Sequence, residues 1–494
     1  MSKPANSASV AELTAVDLFA GCGGLSLGFR QAGVRTLAAV EVSPMAAETY
    51  FRNLHSSEWE AGVWAEMCSD ARLSVSGSVD RGILIGDVRS VLSDEQLMSQ
   101  IYDARPDVLA GGPPCQGFSM AGRRISADTR NSLPWAFLDF VDRIKPKSVV
   151  MENVLGINRA FKNVRTGGST LRQLELALAS RGDGYMVQPI EVNARHFGVP
   201  QNRPRMMLIA VRLDALPGNF EDRESKVWRS ADAWARLANG EDPAQGLALV
   251  PRVGSRVPDG TGLLSRREFS ILEAIADLGE SNYRWAVDDP RYNLEHLDYA
   301  RFMRGALPGH IFNHQRRRHG EVVKQRFALY HFLARHNASA KVMNLAAAAT
   351  QLTEARIAVQ QALGSLATIN VVGESFAADG DAELADSVVR LSTAKHSQRV
   401  ALGHHPSPTV LTLPDDLVHP RKNRIMTVRE LARIQSFPDW YEFRSKVTTG
   451  GVSRRFEVPQ YSQVGNAIPP LMAQAIAECL VRVLRPQSPH ALVH

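Results

Sequence analysis

Cysteine is scarce. Four residues, Cys22, Cys68, Cys115 and Cys479, occur in 494, and none forms a CxxC pair. That excludes a disulfide scaffold and argues against a structural zinc site. It also makes a reducing cytoplasm the expected compartment. No apolar run reaches the ~18–20 residues of a membrane-spanning helix. The opening MSKPANSASVAELTA lacks the apolar core of a secretory signal, so no membrane association is expected. Internal repeats and low-complexity linkers are absent. No single sign of charge dominates: 57 basic against 51 acidic residues leave +6, mildly basic and tolerant of a polyanion. With 44% hydrophobic residues the chain can bury a large core, which excludes a disordered chain. Its length implies more than one domain at about 100–200 residues each.

What is present first is a rhythm. Short apolar runs over Ala15–Phe19, Thr36–Glu41, Ile83–Asp87, Asp107–Gly112, Ser148–Val154, Tyr185–Asn193 and Met206–Arg212 read as strands. Amphipathic stretches lie between them: Pro44–Leu54, Asp94–Tyr102, Ser132–Ile144 and Thr170–Ala179. Alternation of this kind predicts an α/β fold, with a mainly parallel sheet covered on both faces and ligands beyond the carboxyl ends of its strands. After Arg212 the rhythm breaks. Helices are predicted near Ser265–Leu278, over 320–336, through Ala-rich 342–368 with Leu345, Leu352, Ile357 and Leu363 as its apolar points, and over Pro470–Leu484.

Charge is uneven. Residues 213–298 carry −6, 299–349 carry +8, 350–389 carry −5 and 390–455 carry +7. Two basic blocks separated by acidic ones suit two surfaces converging on one polyanion, although solvated helix faces would give the same counts.

Four constellations carry chemistry. The first strand runs into DLFAGCGG (17–24), where Gly21, Gly23 and Gly24 let the backbone turn tightly against a ligand. The strict GxGxxG of pyrophosphate binding is absent, because its third position is Ser26. Glu41 ends the second strand, where a carboxylate can accept from two ribose hydroxyls, and Asp87 ends the third, where it can accept from an adenine amine. A nucleoside without a pyrophosphate fits these parts. The second constellation, GGPPCQGFS (111–119), fixes Cys115 with two prolines beside a glycine-flanked loop, in which Arg123 and Arg124 are phosphate candidates. An ordinary thiol ionises near pH ~8.5, so a nucleophile there needs positive charge close by. The third, ENV (152–154), ends a strand with a candidate proton donor, Glu152. The fourth, PQNRPR (200–205), offers Arg203 and Arg205 as the positive field. Each has a plainer reading as a turn, an inert buried thiol, a helix cap or a surface arginine. A metal site at His310, His314 and His319 lacks cysteine or acidic partners.

Together with TVRELARIQSFPD (427–439) and QVGNAIPP (463–470), these stretches resemble the DNA (cytosine-5) methyltransferase family of bacterial type, in the family's order, over roughly 1–212 and 400–484. The resemblance implies a Rossmann-like, S-adenosylmethionine-dependent methyltransferase domain with a doubly wound, mainly parallel sheet, plus a smaller inserted target-recognition domain. It implies a cofactor pocket of Phe19, Gly21, Gly23, Gly24, Glu41, Asp87, Pro113, Leu133 and Asn466. Cys115 would attack C6 of a cytosine, Glu152 would hold N3, Arg205 would bind the O2 side and Arg203 would support the thiolate. Gln463 resembles part of the returning segment that closes the cofactor site, and Arg429 a scaffold residue between domains. The stacked ring is out of reach, so the base must be flipped out, at about a few kcal/mol.

The domains expected are a catalytic one of 1–212 with 456–494 and a recognition one of 213–455, carrying a helical Ala-rich insert near 337–395. DNA contacts are expected at Gln116, Ser119, Arg123 and Arg124 in the loop and at Arg316, Arg317, Arg318, Lys422 and Arg424 in the basic blocks. Double-stranded DNA is the expected partner of a monomeric cytoplasmic enzyme, in a restriction-modification or phage-defence setting with or without partner proteins. Two other readings stay open at this stage: methylation of tRNA, and a non-catalytic DNA-binding regulator on the same scaffold.

Overall fold

A computed structural model describes residues 12–55, 61–69, 75–114, 132–158, 169–218, 226–239, 249–258, 264–278, 298–305, 311–336, 338–349, 351–363, 381–395 and 397–485. Ten strands supply the main architecture: β1 (Leu13–Leu18), β2 (Val34–Glu41), β3 (Val75–Ser78), β4 (Ile83–Gly86), β5 (Val108–Gly111), β6 (Ser148–Asn153), β7 (Tyr185–Asn193), β8 (Gln201–Asn202), β9 (Pro204–Arg212) and β10 (Trp228–Arg229). Nine of them form one sheet in the order β10-β7-β9-β6-β5-β1-β2-β4-β3. Its centre is parallel, whereas β9 runs antiparallel between β6 and β7, and β3 antiparallel to β4. The predicted α/β class therefore holds, with both faces covered as a parallel sheet requires.

On one face, helices 88–93, 95–103, 133–144 and 170–179 seal Val16, Leu18, Leu109, Val149, Met151 and Leu208. Helix Leu133–Ile144 buries Phe137, Leu138, Phe140 and Val141 on that face, each contributing roughly 1.5–3 kcal/mol. On the other face, helix Gly24–Gln31 lies against helix Pro470–Leu484, although more than four hundred residues separate them. Glycine makes that approach possible. A Cβ at Gly24 would stand 2.2 Å from the Ile468 carbonyl, and one at Gly28 2.4 Å from that of Pro470.

The sheet does not stop at Arg212. Trp228–Arg229 pairs in parallel with Ile190–Glu191, and helix Ser230–Ala238 packs on β7. The expected boundary at 212 thus cuts the sheet short, because a two-residue edge strand has no periodicity to reveal it. The helix expected near Ser265–Leu278 begins later, at Ile271, where Ser270 and Glu273 form a capping box.

The Ala-rich stretch breaks into Val342–Ala348 and Leu352–Leu363, which pack with Asp381–Leu391. Its core is Val342, Met343, Ala346, Ala355 and Val359, while Leu345, Leu352 and Ile357 are about half exposed. Three of the expected apolar points, Leu345, Leu352 and Ile357, thus lie on the outer side, and the buried side is carried by Val342, Met343, Ala346, Ala355 and Val359. The stretch Gln460–Leu484 has the length and apolarity of a membrane span, yet is mostly buried. It is two helices broken at Ala467–Pro469, the second being the core helix already described.

Candidate active site

The topology gathers the candidate residues at one edge. Phe19, Glu41, Asp87 and Gly111–Pro113 stand at the carboxyl ends of β1, β2, β4 and β5. Glu152 ends β6. Because β9 is antiparallel, its beginning, not its end, lies beside Glu152. Glu152 pairs with Met207, so Arg205, two residues earlier, shares its face. The two side chains meet, with Arg205 Nε 2.6 Å from Glu152 Oε1, both largely shielded from solvent. Gly112 leaves room for this pair, since a Cβ would stand 2.9 Å from Glu152 Oε2 and push that carboxylate aside. Asn153 donates to the Pro113 carbonyl at 3.3 Å, tying the end of β6 to the chain that leads to Cys115. Cys115 itself, with Gln116, Ser119, Arg123 and Arg124, lies outside the described residues, as does His310.

The nucleoside end is built around Glu41. Its carboxylate accepts from the Gly21 and Ser43 amides, each at 2.8 Å, bracing the glycine loop from both sides. Burial pushes its pKa up against those bonds. Phe19 adopts φ 60°, an uncommon left-handed conformation for a residue with a side chain. Gly21 and Gly23 are also left-handed, and Gly23 begins helix 24–31. A Cβ at Gly21 would meet nothing within 4 Å, so the loop opens onto free space. A carboxylate, an aromatic ring and a glycine turn around open space suit a ribosyl-adenine group. Asp87 caps helix 88–93 and forms a two-pronged exposed pair with Arg89, an arrangement worth little in water and easily exchanged. Leu133 is buried at the start of its helix and Asn466 is exposed at the end of helix Gln460–Asn466. Gln463 locks that helix in place. Its amide donates to the Met45, Arg444 and Val458 carbonyls and its oxygen accepts from Thr49.

Beneath the loop lies a group that sequence reading missed. Asp17 is buried and accepts from Ser26 at 2.6 Å, and Ser26 accepts from Tyr50. Asp17 Oδ1 has no hydrogen-bond partner among the described residues. Desolvation pushes its pKa up to about 7. The sequence signal was its place in DLFAGCGG, read only for its glycines and phenylalanine.

Arg203 differs from the field donor expected. It is 2% exposed, and its terminal nitrogens donate to backbone carbonyls of Val410, Gly465 and Ala467. Arg424 is withdrawn from the expected DNA-facing set, because it forms a bidentate, mostly buried pair with Glu430. Arg316, Arg317, Arg318 and Lys422 are exposed, Arg317 with Asp415 3.5 Å away. Arg429 is fully buried and donates to the Phe312, Pro438 and Tyr441 carbonyls. His314 bonds Thr427 and Leu278, and His319 stands edge-on to Phe327.

The model of the C-5 cytosine-specific DNA methylase family matches residues 13–62 and 83–482. The chain belongs to that family. As a cytosine-5 DNA methylase it transfers a methyl group from S-adenosylmethionine to C5 of cytosine in DNA. It is 30% identical over 467 residues to the type II methyltransferase M.DdeI of Desulfomicrobium norvegicum, covering 94% of this chain and 87% of the relative. To M1.HphI of Haemophilus parahaemolyticus, also a type II methyltransferase, it is 29% identical, covering 95% and 87%. Mouse DNA (cytosine-5)-methyltransferase 1 is 26% identical, over 96% of this chain but 28% of that much longer protein. Among solved structures, S. pombe Dnmt2 methyltransferase is 14% identical with a TM-score of 0.45, over 96% and 98% of the two chains.

Proposed function

We propose that this DNA methylase works through a covalent Cys115 adduct at C6 of a cytosine flipped out of the duplex. The supporting observation is the Glu152–Arg205 pair, held at 2.6 Å on the edge that leads into the cysteine segment. C5 of cytosine is a poor nucleophile until a group adds at C6. A thiolate adds there, while Glu152 shares a proton at N3 and Arg205 donates to O2, so the ring electrons do not build an unstabilised anion. Bound S-adenosylmethionine supplies the methyl that C5 accepts. Loss of the C5 proton and β-elimination then free Cys115. Phe19 and Glu41 hold the adenosine, and Asp87 exchanges Arg89 for the adenine amine. The sheet with 456–494 forms the catalytic domain, and the two basic blocks of the inserted region grip the duplex. The type II relatives favour a restriction-modification setting.

The test combines two variants on DNA free of 5-methylcytosine. Cys115→Ser and Glu152→Gln are each expected to lower turnover by about 10²-fold or more, while S-adenosylmethionine binding measured by calorimetry is retained. Normal turnover by Cys115→Ser would overturn the nucleophile assignment. A duplex carrying 5-fluorocytosine is expected to trap a covalent adduct with the parent protein and none with Cys115→Ser.

A further inference from the structure

Just upstream of Arg205, over 201–203, the chain does something that a catalytic wall does not need. Gln201 and Asn202 pair in parallel with Ser407 and Pro408, a segment of the inserted region. Gln201, fully buried, accepts from the Val410 amide at 2.9 Å and donates to Gln435 at 2.8 Å. Gln435, also fully buried, donates to the Val464 carbonyl at 2.6 Å. Thr409 donates to the Asn202 carbonyl at 2.9 Å. Arg203 then joins all three: one terminal nitrogen takes Val410, the other Gly465 and Ala467, at 3.2, 3.0 and 3.0 Å. The inserted and returning segments also touch directly. A Cβ at Gly465 would lie 2.4 Å from the Leu411 carbonyl, and Ser462 donates to the Thr412 carbonyl.

A buried guanidinium without a hydrogen-bonded carboxylate is unusual, since desolvating a lone charge is costly. Burial does pull the Arg203 pKa well down, and the opposite charge that offsets this is Glu152. A neutral side chain would join carbonyls at lower cost. The cation is sensible if its contacts must hold in a single arrangement while Glu152 and Arg205 keep their geometry. Beyond the junction Val410 is buried, while Leu411 and Leu413 are partly exposed to solvent.

We infer that Gln201 and Arg203 are positioning residues that couple seating of DNA on segment 407–413 to the alignment of Glu152 and Arg205. Target discrimination is then expressed in the chemical step as well as in binding. The inference rests on the proposed roles of Glu152 and Arg205.

Arg203→Lys keeps the charge but loses the planar fork that reaches three carbonyls. The substrate is genomic DNA free of 5-methylcytosine, with methylation rates read by sequencing at preferred sites and at sites one base pair away. S-adenosylmethionine affinity is expected to stay within about two-fold, while kcat at preferred sites and the preferred-to-near-site rate ratio each fall by about ten-fold. Equal loss at both kinds of site, or no change, would overturn the coupling and leave Arg203 as a tie within the fold. Should Arg203→Lys not fold, Thr409→Val breaks the inserted segment's bond to Asn202 from the other side. A lowered ratio supports the inference and an unchanged one overturns it. Glu152→Gln, assayed in parallel, separates the two readings. Normal turnover there refutes the catalytic role on which the inference rests, whereas an inactive Glu152→Gln with a flat Arg203→Lys response refutes only the coupling.

Discussion

Asp17 is a carboxylate that the fold buries almost completely. A carboxyl held at about 7 by burial stabilises the fold while protonated, fully so below the ordinary carboxylate range near pH ~4. That contribution is lost as pH rises through about 7. Asp17→Asn keeps an acceptor for Ser26 and removes the charge. The variant is expected to melt like the parent near pH 4 and to gain on it up to pH 7–8, by on the order of 2–4 kcal/mol. Thermal melts across that range would decide it, and a difference independent of pH would show that Asp17 is not titrating. Glu41 and Glu152 were legible because a carboxylate ending a parallel strand has a stereotyped place. Asp17 lies one strand residue earlier than the end of β1, and its place in DLFAGCGG marks it as part of the loop motif without saying that it is buried. Arg203 was legible as important but not as what it is, because a motif shows which residue types are near the chemistry and not which carbonyls they reach.

At the scale of the element, glycine decides the contact between helix 24–31 and helix 470–484. Gly28→Val would drive atoms into the Pro470 carbonyl, the Ala473 side chain and the Gln474 amide, all within 2.6 Å of the first added carbon. A loss of about 3 kcal/mol is expected by urea unfolding. Gly62, in helix 61–69, has nothing within 4 Å, so Gly62→Ala is expected to be neutral or to stabilise by up to ~1 kcal/mol. Equal behaviour of the two would remove the close-approach explanation. Most strands and helices of the sheet were legible because β-branched runs end at polar residues and the covering helices have one apolar face. The Ala-rich stretch was not. In its two helices the buried side is carried largely by alanine and valine with Met343, while Leu345, Leu352 and Ile357 are about half exposed.

For the whole molecule, the basic blocks make a prediction about salt. Arg316 and Arg318 are exposed on the segment before helix Glu321–Arg335. If both meet phosphates, replacing them with alanine lowers the slope of log K for duplex DNA against log salt by about two. Titrations from 50 to 300 mM salt measure this, and an unchanged slope would remove this segment from the interface. That the inserted region is basic was legible from the charge blocks. How it holds together was not, because its parts are joined by a network far apart in sequence: Arg433 joins Asp277 and Asp439, and Arg304 also reaches Asp277.

The contact between the two glycine-bearing and proline-bearing helices also sets an order of events during synthesis. Cys22 of the first loop donates to a carbonyl 441 residues later, and the helix that covers that face of the sheet is the last one described. A ribosome adding about 5–20 residues per second takes roughly 10–50 s to travel from residue 229, where the last strand of the sheet ends, to 484. Throughout that interval the face that carries helix 24–31 lacks the second helix that packs on it. The inserted region is long enough to fold in the meantime, and helix 470–484 completes that face of the sheet afterwards.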